Sequence, residues 1–164
     1  MADRGDQDDN ANGDGDVIEF TAFGKAEPRG SKSAVKSKHM KFAVVVDANK
    51  NSGPWMEHVR HVAGQHRGGE LLAGPIRLTV TFYFAYLASH YGTGRNAGVL
   101  KKSAPVRVSG GRTGDIDKLV RGVQDALTGS IYRDDKQVCD LHACKYYTME
   151  AERTVIRIEE SEAA

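Results

Sequence analysis

Ile76, Leu78, Val80, Phe82 and Phe84 alternate with Arg77, Thr79, Thr81 and Tyr83. A period of two over this length predicts a strand with one buried face. Val17–Phe23 mixes β-branched and aromatic residues and predicts a first strand, and the apolar run Phe42–Val46 predicts a short second one. Asn51-Ser52-Gly53-Pro54 offers a capping side chain followed by Pro in a first turn. Trp55, Val59 and Val62 then recur at helical spacing, so a helix runs on to the Gly68-Gly69 pair. A second stripe, Ile116, Leu119, Val120, Val123, Ala126 and Leu127, predicts a helix over Ile116–Leu127 that Gly129 ends. Val138–Tyr147 and Thr154–Ile158 follow as two strands, read as a hairpin joined through Met149–Arg153. The expected order is β-β-α-β-α-β-β. That is an α+β fold, a small mixed β-sheet of about four to five strands with two helices packed on it. Trp55, Phe82 and Phe84 are assigned to its core.

Charge changes this picture at the N-terminus. Residues 1–16 hold six Asp against Arg4 alone and almost nothing to bury, so a disordered acidic tail is expected there. One domain is expected over residues 17–164, and it is correspondingly basic, because the whole chain carries only +1. The positive charge is concentrated in two loops. Lys25–Lys41 holds six Lys or Arg against one Glu, and His90–Arg112 holds Arg95, Lys101, Lys102, Arg107 and Arg112 with no acidic residue. No apolar run reaches membrane-spanning length and no signal-like N-terminus is present, so the reading is a cytoplasmic protein with no membrane partner. Cys139 and Cys144 are the only cysteines, and strand alternation argues against a bond between them.

The candidate chemistry lies around the second helix. Asp115 and Asp117 sit two apart at its start, directly after Gly110-Gly111-Arg112-Thr113-Gly114, and Asp134-Asp135 lies in the turn beyond its end. Converging carboxylates repel unless a cation lies between them, and hard divalent cations take such oxygen ligands together with waters and phosphate oxygens. Arg121 lies one turn after Asp117 and Asp125 one turn after Arg121. Simpler readings exist for each group. Asp at a helix start is a favoured cap, Asp117 with Arg121 makes an ordinary ion pair, and Asp134-Asp135 makes a plain turn. Asp125 reads as a structural partner of Arg121.

The run Gly114-Asp-Ile-Asp-Lys-Leu-Val-Arg-Gly-Val-Gln-Asp-Ala-Leu-Thr-Gly129, followed by Ile131-Tyr-Arg-Asp-Asp-Lys-Gln-Val138, resembles the RusA-type Holliday junction resolvases. That family shows an Asp-x-Asp pair, an Asp-Ala-Leu and an Asp-Asp-x-Gln-Val at these spacings. A weaker similarity covers Phe20–Gly30, which looks like the family's opening strand and its basic Pro/Gly segment.

The resemblance implies a metal-dependent endodeoxyribonuclease that resolves four-way junctions by paired symmetric cuts. It implies Asp115, Asp117 and Asp135 as catalytic residues holding Mg²⁺, with Mn²⁺ as a possible substitute, and Asp134 as a neighbour. The family's catalytic lysine falls at Arg121, a departure that keeps the charge but not a readily released proton. A homodimer acting on branched DNA is expected. Phosphate contacts are assigned to Lys25, Arg29, Lys32, Lys36 and Lys38 in the first loop, Arg95, Lys101, Lys102, Arg107 and Arg112 in the second, and Lys118 on the helix. The alternatives are a flap or fork nuclease and a non-catalytic junction-binding protein.

Overall fold

The computed structural model describes residues 17–30, 32–35, 44–47, 49–110 and 113–161, with 32–35 and 44–47 as backbone. Four strands form one mixed sheet. These are β1 (Val17–Phe23), β4 (Ile76–Ala85), β5 (Val138–Thr148) and β6 (Arg153–Glu160), in the order β1-β6-β4-β5. β2 (Lys32–Val35) and β3 (Val44–Asp47) pair antiparallel as a separate ribbon. Helices α1 (Ser52–His66) and α2 (Ile116–Leu127) pack on each other, α1 against β1 and α2 against β5.

The alternation in β4 is realised residue for residue. Ile76, Leu78, Val80, Phe82 and Phe84 are buried, and they meet Ile156 and Ile158 of β6, Phe20 and Ala22 of β1, Trp55 and Val59 of α1 and Leu119 and Val123 of α2. The opposite face of the sheet is polar and aromatic. There the Arg153 guanidinium lies 4.4 Å from the centre of the Tyr83 ring, Tyr83 stacks on Tyr146 at 6.0 Å, and Arg107 lies 5.2 Å over Tyr146. Ile156→Val should cost about 1 kcal/mol in urea unfolding, since the methyl lost comes from a fully enclosed side chain.

Three sequence expectations change. First, β5 and β6 are not a hairpin. β5 runs parallel to β4, and β6 pairs antiparallel with both β4 and β1, so β4 lies between them. β6 carries buried Thr154, Ile156 and Ile158 and suits an interior position, whereas Cys139 to His142 of β5 are exposed and suit an edge. Second, the first basic loop contains a strand, β2, too short and too polar for its periodicity to show. Third, Asn51 makes no side-chain cap to α1. Asn49 is the local organiser, accepting from the Asn51 amide at 3.0 Å and giving its carbonyl to the Ser52 hydroxyl at 3.0 Å. The acidic tail, residues 1–16, lies outside the described residues.

Candidate active site

Gly114 governs how the chain enters α2. Its φ is +80°, and a Cβ there would lie 2.6 Å from Pro28 Cγ. Lys145 Nζ of β5 donates to the Gly114 carbonyl at 2.9 Å. The turn before the helix is thus held between the first basic segment and the edge strand. Gly114→Ala should destabilise the fold by about 2 kcal/mol, from the positive φ together with the Pro28 contact. Thermal unfolding would read this.

Asp115 occupies the N-cap position of α2, yet its side chain makes no cap hydrogen bond. Its carboxylate instead lies 3.0 Å from Lys118 Nζ. Asp117, in the first turn, is exposed and forms no hydrogen bond or ion pair among the described residues, so the ordinary pair with Arg121 is not made. Both carboxylates line one cavity of about 410 Å³, with Arg107, Val108, Ala143 and Lys145 on its other walls. A larger cavity of about 570 Å³ lies beside Val17, Arg67 and Glu160, but none of the candidate carboxylates lines it. The α2 N-terminus adds the positive end of the helix dipole to the first cavity.

Arg121 is exposed and unpaired among the described residues. Asp125, which helical spacing assigns to it, binds Arg29 Nε at 2.8 Å. The Arg29 amide also donates to the Lys118 carbonyl at 3.1 Å, and Asn49 Nδ2 donates to the Pro28 carbonyl at 2.9 Å. The first basic segment therefore lies along α2, and a contact 96 positions apart in sequence displaces the local one.

Asp134 and Asp135 lie elsewhere. Asp134 caps a 3-10 turn, Asp135–Gln137, by accepting from the Lys136 amide at 3.0 Å. That amide, with the Lys136 ammonium, holds the Asp134 carboxyl below the usual carboxylate range. Gln137 locks the turn, accepting from the Arg133 and Asp134 amides and donating to the Leu72 and Gly74 carbonyls. Asp135 is exposed close to Tyr132, a fully enclosed residue at the C-terminal end of α2. Burial, with the Asp135 charge second, pushes the Tyr132 hydroxyl upward. α2 has 12 residues, so its ends are roughly 18 Å apart. The strand returning beside it brings Lys145, not the acidic turn, to Asp115.

Within one chain, then, Asp115 and Asp117 are brought together and Asp135 is not. Among the described residues no three His, Cys, Asp or Glu side chains converge as metal ligands. Two carboxylates on one open cavity fit a hard divalent cation, which takes one or two carboxylates and completes its shell with water and phosphate oxygens.

The basic candidates divide into three groups. Arg107 lines the cavity, and Lys118 pairs with Asp115 beside it. Arg95, Lys101 and Lys102 are exposed on the second loop, Lys101 held by the Ser89 carbonyl at 2.9 Å. Lys25 stands 4.0 Å from Glu27, and Arg29 is committed to Asp125. Lys36, Lys38 and Arg112 lie outside the described residues, as does the side chain of Lys32.

Lys145 is a cavity residue that the sequence motifs do not mark. Its signal is its register, because strand alternation puts it on the face of Ala143 and Tyr147, which pack toward the core.

A family model described as Endodeoxyribonuclease RusA matches residues 25–159. A relative, the Uncharacterized protein YqaN of Bacillus subtilis (strain 168), is 32% identical over 148 residues, covering 82% of this chain and 91% of that protein.

Proposed function

The chain belongs to the RusA endodeoxyribonuclease family, and from that membership we propose that it resolves four-way DNA junctions as a homodimer, through paired phosphodiester hydrolysis at a Mg²⁺ site. Family membership implies a nuclease acting on Holliday junctions, and nucleases of this family are typically divalent-metal dependent. The observation that carries the reading further is that Asp115 and Asp117 face one cavity with neither carboxylate spent on capping the helix.

Asp115 and Asp117 would hold the cation, which supplies Lewis-acid polarisation of the scissile phosphate and an activated water. Lys118 offsets the repulsion between the two carboxylates from one side of the helix. Lys145, on the facing wall, is placed to hold a phosphate entering the cavity. Arg121 keeps the positive charge of the family lysine but does not readily release a proton, and Lys145 is the cavity residue able to do so. Because Asp135 lies at the far end of α2, the third carboxylate is assigned to the partner subunit's Asp135. A two-fold dimer then holds two such sites, matching the approximate two-fold symmetry of a four-way junction.

The test compares a synthetic four-way junction with fork, flap and linear duplex substrates, in Mg²⁺ and in chelator. Symmetric nicks confined to the junction, and lost in chelator, are expected. Preferred cutting of the flap or fork would replace the junction assignment. The departure at Arg121 favours a second reading, a junction-binding protein without cleavage, and binding without nicks in Mg²⁺ or Mn²⁺ would select it.

A further inference from the structure

The two helices cover one face of the sheet, and the other face is organised in rows that run across the strands. Val17, Glu159, Arg77 and Asp140 form an end row, and Glu19, Arg157, Thr79 and His142 form the next. Their charges are matched among themselves. Arg77 meets Asp140 at 2.6 Å, and Arg157 meets Glu159 at 2.8 Å and Glu19 at 3.5 Å. The third row, Thr21, Val155, Thr81 and Cys144, brings no charged pair. The fourth row is different. Phe23, Arg153, Tyr83, Tyr146 and Arg107 stand side by side across all four strands and onto the segment 106–108. With strands about 4.8 Å apart, this row is roughly 19 Å long.

We propose that this row binds the unpaired bases of a single DNA strand. Surfaces that hold single strands combine exposed rings, guanidinium planes and free positive charge. Phe23 supplies an exposed ring at one end, with 62% of its surface open. Between the ends, strand order places Tyr83 and Tyr146 against each other, with Arg153 flanking the first ring and Arg107 the second. The two Tyr rings are thereby covered, and they hold the two guanidinium planes in place. Bases add at the ends of the row, on the Phe23 ring and on the outer face of Arg107. Arg107 is exposed and has no carboxylate partner among the described residues. Arg153 pairs with Glu150 at 2.7 Å, but the Glu150 side chain is 74% exposed, and a surface pair of this kind yields readily to a phosphate. The connection from β4 to Arg107 adds Arg95, Lys101 and Lys102 and no acidic residue.

The row is continuous with the candidate active site. Side chains alternate along the segment 106–108, so Val108 lines the cavity of Asp115 and Asp117 while the Arg107 guanidinium lies over Tyr146 on the other face of the sheet. The segment itself is bound to the edge of β5, the Val108 amide donating to the Lys145 carbonyl at 3.2 Å and the Tyr147 amide to the Val106 carbonyl at 2.9 Å. A DNA strand separated from its complement at the cavity crosses this rim to reach the row. The inference deepens the nuclease reading by making unpaired strand part of the substrate, and it rests on that reading for this path alone.

The test titrates labelled oligo(dT) with the full chain in chelator and reads fluorescence anisotropy. Phe23→Ala and Arg107→Ala should each weaken binding about 10-fold without shifting thermal unfolding, because both side chains are exposed. Arg107→Lys keeps the charge and loses the plane, so it should retain the salt dependence of the parent and still bind weakly. Val17→Ala, an apolar truncation at the far end of the same face, should change affinity by less than about twofold. Strands carrying 5-iododeoxyuridine should photocross-link at Phe23. No binding by the parent at low salt, equal losses in Val17→Ala and Phe23→Ala, cross-links confined to other residues, or tighter binding of oligo(U) than of oligo(dT) would overturn the proposal. So would loss of self-association in Phe23→Ala by sedimentation, which would give the face to a second copy. Junction nicking by the parent in Mg²⁺ reads the nuclease assignment separately. Strand binding without nicking, or nicking without strand binding, tells the two failures apart.

Discussion

Mixing inactive Asp117→Asn protein with inactive Asp135→Asn protein is expected to restore DNA cutting. Each variant alone should lose on the order of 10³-fold in cleavage rate, because each removes a charged oxygen from the proposed cation site, where the cation would hold the transition-state charge. Each should still bind the junction in a gel shift, since phosphate contacts elsewhere carry the affinity. The mixed dimer separates two geometries. If one chain supplied all three carboxylates, both sites of a mixed dimer would be dead. If Asp135 comes from the partner, one site collects both lesions and the other collects none. After subunit exchange about half the dimers are mixed, each able to cut one strand. The product is therefore a single nick rather than a resolved pair of duplexes. A mixture that stays inactive, although subunit exchange is shown by tagged chains, would place Asp135 outside the site or back within its own chain.

The elements with strong periodicity are legible in the amino-acid sequence. The second helix has the bounds its apolar stripe predicts, and β1 spans the residues its composition marks. β2 is not legible, because four residues of mixed character carry no pattern. A short connection suggests a hairpin of β5 and β6, but strand neighbours are chosen by burial. The buried β6 takes the interior place, and the more polar β5 goes to the edge. At the candidate site, spacing alone leaves Asp115 and Asp117 open between caps and ligands, and the structure sets both residues on one cavity with neither capping the helix in the ordinary way. The partners of the charged residues are not legible. Local spacing pairs Asp125 with Arg121, but the path of the first basic segment delivers Arg29 instead. The position of Asp135 depends on which end of α2 the returning strand starts from, and sequence distance carries no information on that.

Lys145→Met is expected to lower the cleavage rate about 10²-fold while leaving junction affinity within roughly threefold, since it removes one of many phosphate-facing charges. Lys145 reaches the site from β5, donating to the Gly114 carbonyl and lining the cavity of Asp115 and Asp117. It can act in two ways, and Lys145→Arg separates them. A guanidinium restores positive charge and can still donate to the Gly114 carbonyl, but it does not readily release a proton. Recovery of most of the activity in Lys145→Arg would mean that Lys145 holds the helix start and the phosphate. A continued deficit, with a changed alkaline limb of the pH–rate profile, would mean that the lysine moves a proton. A purely structural role predicts something else: lost thermal stability and weakened binding in Lys145→Met alongside the lost rate. Arg121→Met is the necessary comparison, because the resemblance assigns the family's lysine to Arg121, which is exposed without a partner among the described residues. A large rate loss in Arg121→Met with none in Lys145→Met would return the role to the helix. The opposite result would show that the function of the family lysine has moved across the cavity to the strand, where a lysine and the loop before α2 already meet.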